Sequence, residues 1–295
     1  MGKVVSFINL KGGVGKTTTT VALAEFLTYE FKKRVLVVDL DPQTNATLLL
    51  INNDIWKKAN TNNETIYQMF YDEFHKTKAF NIQNSIIRRT SNIKGGNESL
   101  HLLPSSTDLM SLSDRLSELD KNHETNSISI PILSKHLTKE MIDTYDYVLI
   151  DCPANLDLIT LNGIYISDYY IIPVIPDILS TYGVPQILEK IESTKRKLKR
   201  LNTSYNLLEL GLIVNKMVKR RPMHEKTLQS LKKRKGYSKT DLNYVPKLFD
   251  AIIYDRNCSC EIADFGMTPN TIKQKYGNNY NDYKNFATEF IKRTK

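Results

Sequence analysis

Short apolar runs recur along this chain, and between them the apolar residues spread out to a helical spacing. Val4-Val5-Ser6-Phe7-Ile8, Val35-Leu36-Val37-Val38 and Tyr147-Val148-Leu149-Ile150 read as buried strands. After the first of them, Val21, Leu23, Ala24, Phe26 and Leu27 fall on a helical period within residues 18–31. The same pattern predicts strands near 3–9, 34–39, 99–103, 146–151, 169–175, 208–215 and 242–246. Helices are expected at 16–32, 106–119, 156–167, 180–201, 222–234 and 280–293. Such alternation predicts an α/β fold, a doubly wound and mostly parallel sheet with helices on both faces. Residues 52–98 break the rhythm with a polar tract rich in Asn and Lys, which reads as a variable surface insertion. At 295 residues, one such domain spanning 1–295 suffices, and it can bury a core without staples.

Candidate chemistry sits where the first strand meets the first helix. Lys11-Gly12-Gly13-Val14-Gly15-Lys16-Thr17-Thr18 is a phosphate-binding loop in strand–turn–helix context, with one additional lysine at its front edge. Glycines let backbone N–H groups curl around phosphate oxygens, and the helix N-terminus adds unpaired N–H groups and a positive dipole end. In such a loop Lys16 reaches the β- and γ-phosphates, Thr17 offers its hydroxyl to Mg²⁺, and Thr18 is a candidate donor to the α-phosphate. A second strand ends in Asp39-Leu40-Asp41-Pro42-Gln43, with both carboxylates on one side and Pro42 as a stop. A third ends in Asp151-Cys152-Pro153, four apolar residues followed by an acid placed to serve a metal's outer shell.

With these stretches together, the chain resembles the ParA/MinD class of deviant Walker ATPases, and within it the Soj-like ParA partition branch. The match rests on residues 9–18, Val38-Asp39-Leu40-Asp41-Pro42-Gln43, Leu100-His101-Leu102-Leu103-Pro104-Ser105, residues 147–153 and, more weakly, Gly211-Leu212-Ile213-Val214-Asn215. The resemblance implies an ATP- and Mg²⁺-dependent hydrolase that is slow until a partner stimulates it. Lys11 would be the signature lysine, crossing a homodimer interface to the phosphates held by the other subunit, with two ATP molecules sandwiched between the copies. Asp41 would position the hydrolytic water, while Asp39, Asp151 and Thr17 would support Mg²⁺. Gly12, Gly13, Val14, Gly15, Lys16, Thr17 and Thr18 would bind the nucleotide. Asn215 would read the adenine amino group, and the segment at Val245 and Pro246 would wall the base. One departure is Ala154, where the family commonly has a second proline; it should loosen the turn after Pro153.

Charge adds a second surface. The formal net charge of +9 is regional: residues 190–235 carry 15 Lys or Arg against 3 acids. Lys195, Arg196, Lys199 and Arg200, followed by Lys219, Arg220 and Arg221, form the footprint expected of phosphate-backbone binding, without a side-chain set for reading bases. The resemblance implies non-specific double-stranded DNA binding by the ATP form, plasmid or chromosome partition, and a DNA-bound ParB-like partner. It implies a cytoplasmic, nucleoid-associated protein. Two alternatives share the same switch: a MinD-like positioning ATPase that docks on membrane through the C-terminal helix, and a ParA-like ATPase that positions a protein cargo on the nucleoid. Tyr283, Phe286, Ala287 and Phe290 make that helix amphipathic, although such a stripe more often packs on its own domain. Cys152, Cys258 and Cys260 fall at no zinc or iron–sulfur spacing, and no apolar run is long enough for a membrane span.

Overall fold

The computed structural model describes residues 1–112, 131–233, 244–256 and 268–295. Its strands are β1 (Lys3–Phe7), β2 (Val35–Asp39), β3 (Leu100–Leu103), β4 (Tyr147–Asp151), β5 (Tyr169–Val174), β6 (Leu208–Met217) and β7 (Leu248–Tyr254). They form one sheet in the order β3-β2-β4-β1-β5-β6-β7, every pairing parallel. The main helices are α1 (Lys16–Tyr29), α2 (Asn45–Leu50), α3 (Asn53–Thr61), α4 (Ile66–His75), α5 (Ile82–Ser85), α6 (Ile132–His136) and α7 (Lys139–Ile142). Beyond β4 follow α8 (Leu158–Ile166), α9 (Ile178–Leu201), α10 (Pro222–Lys233), α11 (Ile272–Tyr276) and α12 (Tyr280–Arg293). The doubly wound α/β expectation thus holds, while most of the helix expected at 106–119 lies outside the described residues.

Strand alternation divides the core in two. Val4, Leu36, Val38, Val148, Ile150 and Ile172 join one buried cluster, whereas Val5, Phe7, Val35, Val37, Leu149 and Ile171 join the other. Because helices cover both faces, the central strands are apolar on both sides apart from Lys3, Ser6 and the terminal acids, which is why the sequence shows nearly continuous runs. On the second face α1 packs its Phe26 against α11 and α12, and α12 buries Tyr283, Phe286, Ala287 and Phe290. The apolar stripe of the C-terminal helix is therefore occupied by the protein's own core. Among the described residues no helix is long and apolar enough to cross a membrane.

Two expectations need correction. The tract at 52–98 is not merely a surface loop: α3, α4 and α5 lie within it, and Ile66, Met69 and Phe70 of α4 are fully buried. Their i, i+3, i+4 spacing was present in the sequence but masked by the surrounding Asn and Lys. The last strand runs Leu248–Tyr254 rather than 242–246. Pro246 carries no N–H for a ladder, and the strand begins only after it. As an edge strand it alternates, with Asp250 exposed, and Glu289 of α12 accepts hydrogen bonds from Asp250 N (2.8 Å) and Ala251 N (3.1 Å), which blunts the free edge.

One buried ion pair fastens the second face together. Glu25, in the middle of α1, accepts from Lys275 Nζ (2.8 Å) and Tyr276 Oη (2.6 Å) of α11 and from Ser91 Oγ (2.5 Å), with both charged side chains at most 1% exposed. Removing one partner leaves a desolvated charge. We therefore expect Lys275→Met to lower stability by about 3 kcal/mol in urea unfolding, and Glu25→Gln combined with Lys275→Met to recover a substantial part.

Candidate functional site

In parallel pairing, Asp151 lies opposite Phe7 on one side and Asp39 on the other, so the ends of β1, β2 and β4 share one rung at the C-terminal edge of the sheet. The phosphate loop leaves β1 just beyond that rung. A cleft of about 730 Å³ opens there, lined among others by Gly12, Gly13, Gly15, Lys16, Thr17, Thr18, Asp41, Asn155 and Lys216. α1 starts at Lys16 with Gly15 as its cap at φ 86°, and no side chain caps it, so its first N–H groups face the loop without a side-chain acceptor. Gly13 (φ 73°) and Gly15 occupy the left-handed region, where a side chain would be strained. Gly12 shows no such requirement. A Cβ there would meet no protein atom within 4 Å, so nothing within the chain accounts for the small residue.

The two strand-end acids are buried in different ways. Asp39 Oδ1 accepts from Asp41 N (3.1 Å), and Oδ2 accepts from Thr47 N (2.8 Å) and Thr47 Oγ1 (2.7 Å). Its carboxyl thereby ties the turn carrying Asp41 to the start of α2. Asp151 Oδ1 has a long contact from Thr20 Oγ1 (3.5 Å) and the Thr17 hydroxyl lies within hydrogen-bonding reach of the carboxyl, yet Oδ2 is buried with no partner. Burial pushes the Asp39 carboxyl up to about 7, and burial plus the neighbouring Asp39 charge pushes Asp151 well above the usual carboxylate range. The buried Lys16 is the compensating cation beside Asp151. Among the described residues no group of three or more His, Cys, Asp or Glu could hold a metal by itself. The orphaned Asp151 oxygen and the Thr17 hydroxyl are the donors that would fit a Mg²⁺ ion beside bound phosphate.

Asp41 is half-buried on the cleft wall, its Oδ1 accepting from Gln43 N at 2.9 Å. Lys11 does not line this cleft. Its Nζ turns to Asp177 at 2.7 Å, in an ion pair whose side chains remain 39% and 31% exposed. Asn215, at the end of β6, is buried behind the loop and donates through Nδ2 to Val14 O (3.0 Å) and Thr19 Oγ1 (2.8 Å). Pro246 is not brought to the site. It precedes β7, and only the residues after a parallel strand emerge at the cleft edge, so Tyr254 and Asp255 occupy the position expected of Val245 and Pro246. Tyr254 and Asp255 were missed in the sequence because the β7 boundary was misplaced, and Lys216 because β6 runs on past the expected end at 215. Lys216 itself follows Asn215 directly and adopts φ 51°.

The basic residues share one layer but not one spot. α9 joins parallel β5 and β6 and must run back against the strands, so Lys195, Arg196, Lys199 and Arg200 lie toward the sheet's opposite edge. Lys219, Arg220 and Arg221 instead follow β6 at the cleft edge. A helix of 24 residues spans roughly 36 Å, so the two clusters mark the ends of a long face shared by α9 and α10. Lys195 pairs with Glu192 at 2.8 Å, whereas Arg196, Lys199, Arg200, Arg220 and Arg221 are exposed. The turn at the cleft is held internally: Val218 N donates to His224 Nδ1 (3.1 Å), and burial with the Arg221 charge lowers the His224 imidazolium pKa. Lys219 Nζ and the Arg256 guanidinium lie 5.1 and 4.9 Å from the Tyr254 ring centroid. Cys152 is a buried thiol pushed far up by burial and is inert; Cys258 and Cys260 lie outside the described residues.

Residues 2–205 match the sequence family described as AAA domain. The chain is 31% identical over 233 residues to sporulation initiation inhibitor protein Soj of Bacillus subtilis, covering 79% of this chain and 80% of that protein. A plasmid partition protein from Borrelia burgdorferi bound to AMPPNP shares the fold at a TM-score of 0.68 and 23% identity, covering 99% of this chain and 100% of the other. Cobyrinic acid a,c-diamide synthase from Mycobacterium smegmatis, with bound ADP and magnesium, superposes at a TM-score of 0.69 and 24% identity, over 100% and 96% of the two chains.

The carboxyl pair sets a pH dependence. A folded-state pKa raised from about 3.9 means that the folded protein holds more protons than the unfolded chain between pH about 4 and 7. The contribution of Asp39 to stability is then fully present at low pH and is lost as pH rises through that window. Thermal melts in EDTA should show Asp39→Asn flattening the fall in Tm between pH 5 and about 7.5 relative to wild type.

Proposed function

The chain belongs to the AAA-domain family, in its ParA/Soj branch, and on that premise we propose that it is a DNA-partition ATPase whose ATP-bound form pairs two copies. Lys16 and the loop N–H groups hold the phosphates, Thr17 and Asp151 hold Mg²⁺, with Asp39 behind them, and Asp41 orients the attacking water. Bound Mg²⁺ supplies charge neutralisation between the phosphates. Asp39 acts through geometry, since its hydrogen bonds to Asp41 N and Thr47 fix the turn that presents Asp41. Asn215 Oδ1, buried and unpartnered, faces no competing donor for the adenine amine.

The observation that carries the paired reading is Lys11. A phosphate-loop lysine that leaves its own cleft for a partly exposed carboxylate is tethered weakly, by about 1 kcal/mol or less. Developing charge on a transferring phosphoryl group of a second copy is a far stronger attractor. ATP then stabilises the pair because only the pair adds a second lysine, Lys11 of the other copy, to each γ-phosphate. The long basic face of α9 and α10 supports non-specific duplex DNA binding and nucleoid association, while discharge by a DNA-bound ParB-like partner rests on membership of the ParA/Soj branch. The packed apolar face of α12 weighs against membrane docking.

Light scattering should find Lys11→Ala monomeric in ATP and Mg²⁺ while its ATP affinity stays within about threefold of wild type. Asp41→Ala should instead dimerise and lose about 100-fold or more in turnover. Dimerisation of the Lys11 variant, or normal turnover by the Asp41 variant, would remove that residue from its role. DNA affinity should require ATP and fall steeply with salt, with Arg220→Glu reducing both affinity and the salt slope. Unchanged binding by that variant counts against this surface.

A further inference from the structure

Beside the phosphate cleft, on its β6–β7 side, lies a second cavity of about 40 Å³. It shares Gly15, Thr18 and Lys216 with the cleft and is closed by Asn215, Tyr254 and Asn279 among others. Asn279 comes from the turn between α11 and α12, far along the chain from the loop. It is 5% exposed, and Asn215 is 2% exposed. Both amides are pinned by their nitrogens: Asn279 Nδ2 donates to Tyr254 O at 2.7 Å, and Asn215 Nδ2 donates to Val14 O at 3.0 Å. Since each of those partners is a backbone carbonyl, rotating either amide would set oxygen against oxygen. The oxygens are thereby fixed, and both Asn215 Oδ1 and Asn279 Oδ1 are buried with no hydrogen-bond partner among the described residues. Two unmatched acceptors on one small cavity call for a group with two N–H donors.

We propose that Asn279 is a second reader of the nucleotide base, receiving one N–H of the adenine exocyclic amine while Asn215 receives the other. This rests on the ATP reading above and assigns the base specificity of that site. A nucleotide with its phosphates on the loop and its α-phosphate at Thr18 carries its base toward this side. Adenine offers an amine to the paired oxygens; guanine offers a carbonyl oxygen, which both would repel. Tyr254 contributes twice, as a wall of the cavity and as the carbonyl that orients Asn279.

The test is competition binding, in Mg²⁺, of ATP, GTP and purine riboside 5′-triphosphate, which is ATP without the amine. Wild type, Asn279→Leu and Asn279→Ser are compared, each first checked for folding by its melt. In wild type, ATP should bind at least tenfold more tightly than the amine-free analogue, at about fivefold per hydrogen bond. In the variants that gap should shrink about fivefold, because ATP weakens and the analogue does not. An unchanged gap, or equal weakening of both nucleotides as a purely structural role would give, overturns the assignment. Wild type that binds no nucleotide at all overturns the ATP reading itself. Should both variants fail to fold, the wild-type structure with AMPPNP decides. The exocyclic nitrogen should lie within about 3.2 Å of Asn279 Oδ1, and a water in its place overturns the proposal.

Discussion

Parallel pairing forces the carboxyl ends of all the strands to one edge, and in this sheet it aligns Phe7, Asp151 and Asp39 on a single rung. Much of the site follows from that register. The loop that leaves β1 runs beside the carboxylates that end β2 and β4, and neither acid can reach water. Each must be met by donors from the chain: Thr47 and the Asp41 backbone for Asp39, Thr17, Thr20 and Lys16 for Asp151. The unmatched Asp151 oxygen is what this accommodation leaves over, at the place where a hard cation and phosphate oxygens would meet.

Six of the seven strands were legible within a residue or two, because burial on both faces writes an unbroken apolar run that little else produces. The seventh was not, since an edge strand alternates and Asp250 interrupts it. That one slip carried Pro246 into the site and left out Tyr254 and Asp255. The loop residues were legible because glycine and lysine spacing is local chemistry. Asn279 was not, because its significance lies in an orphaned oxygen, which depends on which partner its nitrogen finds and cannot be written in spacing. α4 was hidden for another reason: its three fully buried apolar residues lie between Asn- and Lys-rich stretches, and the composition of the whole tract outweighed their period.

Electrostatics links the distant surfaces. Lys219 of the basic turn and Arg256 beyond β7 both approach the Tyr254 ring, and Tyr254 bounds the base cavity. The cations at the cleft edge are thus held by the same aromatic that walls the small cavity, while among the described residues no such tie is seen at the far end of α9.

The ion pair of Glu25 with Lys275 has a consequence for how this molecule can be divided. The shared family signature stops at residue 205, before β6 and β7 are reached. Yet the helix that starts at the phosphate loop is anchored in its middle by a lysine well beyond that border, and its Phe26 leans on rings from the same late segment. A fragment ending at 205 would keep every phosphate-loop residue and lose the floor beneath them, with β5 laid open as a raw sheet edge. The stretch matched by the family signature is not a module that can be lifted out, because the late segment packs against the helix that starts at the phosphate loop.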